Sequence, residues 1–125
     1  MTSQGFSVRS RLKSFRYALR GLWVLVHDEH NARIHAVATA AVLCLGALVH
    51  LPPLEWAVIG LAVAGVWTAE ALNAAIERLA DATSSEPHPL LGAAKDLAAA
   101  GVLASAIGAA LVGVLVLGPR VLALL

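Results

Sequence analysis

Cysteine occurs once in the 125 residues, as Cys44, so the chain can form no intrachain disulfide and no thiolate metal site. Set among Val, Leu and Gly, that one cysteine is expected to serve packing. Charge is scarce as well. Asp, Glu, Lys and Arg make up 14% of the chain, against about 25% in an ordinary soluble domain. Walker A loops, kinase glycine loops and Gly-x-Ser-x-Gly elbows are all absent, which excludes those routes to catalysis but not catalysis itself. What is present is apolar: 59% of residues are hydrophobic and the mean hydropathy is +0.79. The comparable apolar share of a soluble domain is about 45 to 50%, so the chain reads as a membrane protein.

The clearest span is Ala98 to Gly118, an uncharged run long enough to cross a hydrocarbon core of about 30 Å. Two shorter apolar runs, Ala36 to Val49 and Trp56 to Ala69, become spans when extended through their polar flanks to about Asn31 and Ala80. Between them, Leu51-Pro-Pro-Leu54 stops one helix and starts the next. Six of the nine basic residues, Arg9, Arg11, Lys13, Arg16, Arg20 and Arg33, precede the first span, which puts the amino terminus inside. Three crossings then leave the loop Asp81 to Asp96 in the cytoplasm and the carboxyl terminus outside. The basic start is long and amphipathic, with no cleavage site after a short apolar core, so a secretory signal is a poor reading of it.

Residues 6 to 27 form a separate element. Val8, Leu12, Phe15, Leu19, Leu22, Trp23 and Val26 recur at helical spacing beside a basic stripe of Arg9, Lys13, Arg16 and Arg20. That is the pattern of a helix lying in the membrane interface, anchored on anionic lipid or facing a polyanion such as nucleotide phosphate. The expected organisation is therefore an interfacial helix over 1–30 and a three-span domain over 31–125, all α. Small residues four apart, Gly60/Ala64, Gly101/Ser105, Ala104/Gly108 and Ala109/Gly113, favour close helix approach and self-association.

The chemistry is concentrated in Trp67-Thr-Ala-Glu70-Ala-Leu-Asn73-Ala-Ala-Ile-Glu77. At about 100° per residue, Glu70, Asn73 and Glu77 share one stripe of a helix, with Val66, Ala69, Leu72 and Ile76 expected largely elsewhere. An ionisable group at membrane depth costs about 2.5 to 3.5 kcal/mol on insertion scales, so such a pair of carboxylates needs a compensating role. Other polar residues gather at the same level: His27-Asp28-Glu29-His30 and Arg33, Asp81, Glu86 and His88, and Lys95-Asp96. Mg²⁺ usually takes one or two protein carboxylates plus substrate phosphates, a requirement Glu29 and Glu77 fit, and Lys95 suits a phosphate as a point charge. Glu70, about two turns deeper, is set to meet a group presented from the lipid side. Blander readings stand beside these: Glu29 with Arg33 as an i, i+4 ion pair, Glu77 snorkelling at a helix end, Lys95-Asp96 as interfacial polarity. His27 and His30 could form a transition-metal pair but lack a third ligand at fixed spacing, while His35 and His50 read as interfacial residues.

These residues resemble the prokaryotic diacylglycerol kinase and undecaprenol kinase family of small integral-membrane lipid kinases. The resemblance covers about residues 6 to 115. It is strongest in Glu70-Ala-Leu-Asn73-Ala-Ala-Ile-Glu77-Arg-Leu-Ala-Asp81, similar to the signature Glu-x-x-Asn-x-Ala-Ile-Glu-x-x-x-Asp, and in Ala94-Lys95-Asp96-Leu-Ala-Ala. Ser14-Phe-Arg-Tyr17-Ala-Leu-Arg-Gly21-Leu22, Glu29-x-x-x-Arg33 and Glu55-Trp56 match in order and spacing. The resemblance implies a homotrimeric helical bundle in the cytoplasmic membrane of a prokaryote, with active sites between subunits. It further implies that Glu70 is the general base, that Glu29 and Glu77 hold Mg²⁺ with ATP, and that Asn73, Lys95 and Asp96 complete the site. Tyr17, Glu86 and His88 match nucleotide-contacting positions. Where the family has a basic residue near the start of the surface helix, this chain aligns Ser10, flanked by Arg9 and Arg11. Ala74 replaces the usual Thr or Ser after the asparagine, a change expected to affect packing more than mechanism.

Phosphoryl transfer rests mainly on positioning and charge neutralisation, which this set supplies. The expected reaction is ATP-dependent phosphorylation of a membrane lipid alcohol, with no nucleic-acid partner. Ser14-Phe-Arg-Tyr17-Ala-Leu and His88-Pro89-Leu90 look more like the undecaprenol branch, with diacylglycerol the alternative acceptor. Arg33 and a groove of Ala69, Leu72 and Ala98 beside Glu70 are the expected lipid contacts. The competing class is a proton- or cation-conducting oligomer lined by Glu70 and Glu77. It predicts titratable groups continuing to the outer face, which Trp56 to Ala69 and Ala98 to Gly118 do not offer.

Overall fold

The computed structural model describes residues 7–124, and Phe6, the expected start of the surface helix, lies outside them. Helix α1 runs Val8–Asp28, opened by the Ser7 hydroxyl, which accepts from the Ser10 amide. Glu29 is extended (φ −96°, ψ 121°), and this single residue breaks the chain between α1 and α2, His30–Leu48. The turn that follows holds His50 at φ 53°, in the left-handed region that reverses a helix end, before Pro52 and Pro53 start α3, Pro53–Thr83.

Only Ser84 to His88 separate α3 from α4, Pro89–Leu122. The loop expected over Asp81 to Asp96 is therefore mostly helix. Pro89, with its φ fixed for a first helical turn, and His88, whose Nδ1 accepts from the Leu90 amide at 3.2 Å, start α4 well before Lys95. Helices α2, α3 and α4 are long and apolar enough to cross a membrane. At 1.5 Å per residue α3 and α4 span about 46 and 51 Å, longer than a core of about 30 Å, so their polar ends project beyond the hydrocarbon.

Packing concentrates at the proline-turn end. Leu51, Ile59 and Leu117 are buried there among Val42, Trp56, Val63 and Val116, binding α2, α3 and α4 together. Gly46 allows this close approach: a Cβ at this position would lie 2.8 Å from the Trp56 ring and 2.9 Å from the Leu51 side chain, so one of them would have to shift. The carboxylate of Glu55 closes the same end by accepting two 2.7 Å hydrogen bonds from Arg120. A smaller cluster of Leu25, Ala32 and Ala74, with Trp67 against it, joins α1, α2 and α3, which gives Ala74 the packing role its sequence position suggested.

The rest of the apolar surface faces outward. Only Leu117 of α4 is buried, and the apolar side chains of α1 from Val8 to Trp23 are exposed, as an interfacial helix requires. Cys44 is exposed rather than packed. A Cβ at Gly60, Gly101, Gly108 or Gly113 would meet no atom of another helix within 4 Å, so those small-residue positions are not needed for close helix approach within this chain.

Candidate active site

The polar stripe of α3 forms as its spacing predicts, and it is buried. Glu70 is 2% exposed and Asn73 9%, with Glu77 half-buried one turn further on. Val66, expected elsewhere, is buried on this same face, because four residues rotate a helix by only about 40° beyond a full turn. Asn73 Nδ2 donates to Glu77 Oε1 at 3.2 Å. Asn73 Oδ1 and Glu70 Oε1 are buried without a hydrogen-bond partner.

Beside Glu70 stands a residue that sequence reasoning consigned to the interface. His35 Nε2 is 3.0 Å from Glu70 Oε1, within ion-pair range but not aligned as a hydrogen bond. One turn along α2, Thr39 Oγ1 accepts from Trp67 Nε1 at 3.1 Å. The contacts make two rungs of an antiparallel ladder, His35 on Glu70 and Thr39 on Trp67. The i, i+4 and i, i+3 spacings were readable in the sequence, but the register between α2 and α3 was not.

Glu29 does not form the i, i+4 pair with Arg33. Its carboxylate and that of Asp28 accept from Arg78 Nη2, at 3.0 and 3.2 Å. Arg33 instead turns back on α1, where Nε donates to the Val26 carbonyl at 3.1 Å and Nη2 contacts the His27 carbonyl. It thereby satisfies carbonyls left open at a helix end. Arg78 went unnoticed because it sits inside the acidic signature. Its cue was an uncommitted cation beside Glu77. His27 stacks on Trp23, with ring centroids 4.7 Å apart. No group of three or more His, Cys, Asp or Glu close enough to hold a metal occurs among the described residues, and no contact joins Glu29 to Glu77.

At the start of α4, Lys95 Nζ donates to Asp81 Oδ1 at 2.7 Å, and Glu77 lies within its electrostatic reach. Asp81, Ser84, Glu86, His88 and Lys95 line an open cavity of about 520 Å³, with Asp96 exposed on the same helix. Tyr17 lies in another, of about 400 Å³, with Arg20, Leu25, Ala74 and Arg78. The candidate nucleotide contacts thus fall into two separate cavities of one chain. A third cavity, apolar and about 620 Å³, runs from His35 and Thr39 past Ile59 and Val63 to Leu117. It is not lined by Ala69, Leu72 or Ala98; Leu72 is 60% exposed, while Ala69 and Ala98 are half-buried.

The chain matches the family model for prokaryotic diacylglycerol kinase over residues 16–117. It is 42% identical over 108 residues to an undecaprenol kinase of Bacillus subtilis, covering 86% of this chain and 88% of that protein. It is 39% identical over 115 residues to a diacylglycerol kinase of Synechocystis sp., covering 91% of this chain and 66% of that protein. The family match runs from within the surface helix through α2, α3 and most of α4 and includes the buried carboxylate stripe: this chain belongs to the prokaryotic diacylglycerol kinase family of membrane lipid kinases.

Proposed function

We propose that the chain transfers the γ-phosphoryl group of ATP to the hydroxyl of undecaprenol at the cytoplasmic face of a bacterial inner membrane. The observation that carries this reading is Glu70, 2% exposed on a membrane-length helix, with a carboxylate oxygen that has no hydrogen-bond donor. A buried acceptor left open is costly unless something arrives to use it. Undecaprenol is favoured over diacylglycerol because the undecaprenol kinase relative aligns over 88% of its length, against 66% for the diacylglycerol kinase. The excess of basic residues before the first span supports an amino terminus inside and a carboxyl terminus outside.

In this reading Glu70 accepts the proton of the lipid hydroxyl as its oxygen attacks the γ-phosphorus, and ADP departs. Lys95 neutralises phosphate charge, with Asp96 beside it, and Asn73 orients Glu77 through their hydrogen bond. Mg²⁺ suits the donors present: the carboxylates of Glu29 and Glu77 are hard oxygens, and Asn73 Oδ1 is a buried oxygen without a partner. Bound there with ATP, the ion would neutralise charge developing on the transferred group. Glu29 must exchange its bond to Arg78 for this role. Tyr17, Glu86 and His88 are assigned to the nucleotide. Their division between two cavities, and the exposure of nearly all of α4, support a site built between subunits of a trimer. Residues 1–30 then act as the interfacial anchor of the 31–125 kinase core, with Arg33 and the side chains near Glu70 meeting the lipid.

Initial rates of lipid phosphorylation for undecaprenol and diacylglycerol, side by side in mixed micelles at equal surface concentration, test this. Faster undecaprenol turnover is expected. A clear preference for diacylglycerol overturns the acceptor but not the chemistry, and no turnover of either overturns both.

A further inference from the structure

We infer that His35 is a positioning residue for Glu70: its Nε2, reaching across from α2 to within 3.0 Å of Oε1, keeps the carboxylate turned to the face where the hydroxyl arrives. The inference rests on the reading of Glu70 as the base. It starts from what surrounds that carboxylate. At 2% exposure Glu70 has almost no water, so whatever fixes the direction of its carboxylate must be a protein group.

The lysines and arginines of α2, α3 and α4 are committed elsewhere. Arg33, at the start of α2, is bound to the α1 carbonyls; Arg78 on α3 holds Asp28 and Glu29; Lys95 on α4 holds Asp81. The acidic groups facing this region, Glu29 and Glu77, take their hydrogen bonds from Arg78 and Asn73. Among the described residues that leaves His35, at 3.0 Å, as the basic group within ion-pair range of Glu70.

The fold also fixes where His35 points. The Thr39–Trp67 hydrogen bond one turn away locks α2 to α3 in the register that opposes His35 to Glu70. Close but not aligned as a hydrogen bond, the imidazole fixes the carboxylate while leaving Oε1 open to the incoming hydroxyl. His35 is 20% exposed and lines the end of the apolar cavity between α2, α3 and α4, so it meets the bilayer side of the site while Glu70 stays dry.

The test is steady-state kinetics of the purified enzyme, comparing wild type with His35→Leu, His35→Gln and Glu70→Gln. His35→Leu is expected to lower kcat by about 10- to 100-fold near neutral pH, the range that a hydrogen bond to a charged group is worth, with KM for ATP unchanged. His35→Gln, which keeps an N–H donor, falls between wild type and His35→Leu. Adding His35→Leu to Glu70→Gln costs nothing further. Wild-type kcat in His35→Leu overturns the inference, as does a loss of kcat that is matched by weaker ATP binding or that His35→Gln does not relieve. Should His35→Leu fail to fold, the first two outcomes are read from His35→Gln. Full activity in Glu70→Gln instead overturns the base assignment, whatever His35 does.

Discussion

The two ends of the helix bundle solve opposite problems. At the proline turn every feature closes: Gly46 admits the Trp56 ring, Leu51, Ile59 and Leu117 are buried together, and Glu55 and Arg120 satisfy each other in a two-bond pair. At the polar end two buried oxygens, on Glu70 and Asn73, have no hydrogen-bond donor. Leaving a buried acceptor unpaired costs about 1 to 3 kcal/mol, so the polar end keeps an open cost that the other end avoids. Packing is tightest at the first end, and the proposed chemistry lies where polar groups are least satisfied.

Substitutions at the two ends should therefore fail differently. The largest effect is expected from Glu70→Gln, which preserves shape and removes the base: kcat should fall by about 10² to 10⁴ with ATP binding retained, measured by turnover and by nucleotide titration. Next come Glu29→Gln and Glu77→Gln, which should weaken nucleotide binding in a way that raised Mg²⁺ partly restores. Lys95→Ala should weaken it with little response to Mg²⁺. Equal Mg²⁺ responses in ATP titrations of all three variants would remove the distinction between metal-holding and phosphate-holding residues.

At the proline-turn end the same assays should move little while stability moves more. Gly46→Ala forces a methyl against Trp56 and Leu51 and should cost about 1 to 3 kcal/mol, read as an earlier unfolding transition in detergent with kcat per folded protein unchanged. The smallest effect is expected from Arg120→Ala, which breaks the Glu55 pair at a half-exposed site and should lower thermal stability slightly without touching turnover. A kinetic defect in either variant would erase the division between the two ends.

How far each end could be read from sequence follows the same division. The stripe Glu70, Asn73, Glu77 was legible because its periodicity lies within one helix, and the membrane spans because apolar length is a local property. His35 against Glu70, and Arg78 against Asp28 and Glu29, were not legible. Each depends on how one helix slides against another, which local spacing leaves undetermined. Gly46 was likewise hidden: it belongs to no small-xxx-small pair, and its need comes from a tryptophan across the turn. The start of α4 was misjudged because Glu86-Pro-His88-Pro reads as loop, whereas Pro89 and the His88 side chain begin a helix.

The most direct measurement is transfer of label from γ-labelled ATP into lipid by the purified chain in mixed micelles, with undecaprenol present or omitted. The account predicts labelled lipid phosphate formed in step with ADP, only when the lipid alcohol is present and only with Glu70 intact. Release of label as inorganic phosphate without labelled lipid, or ion conductance in vesicles with no turnover of ATP, would contradict it.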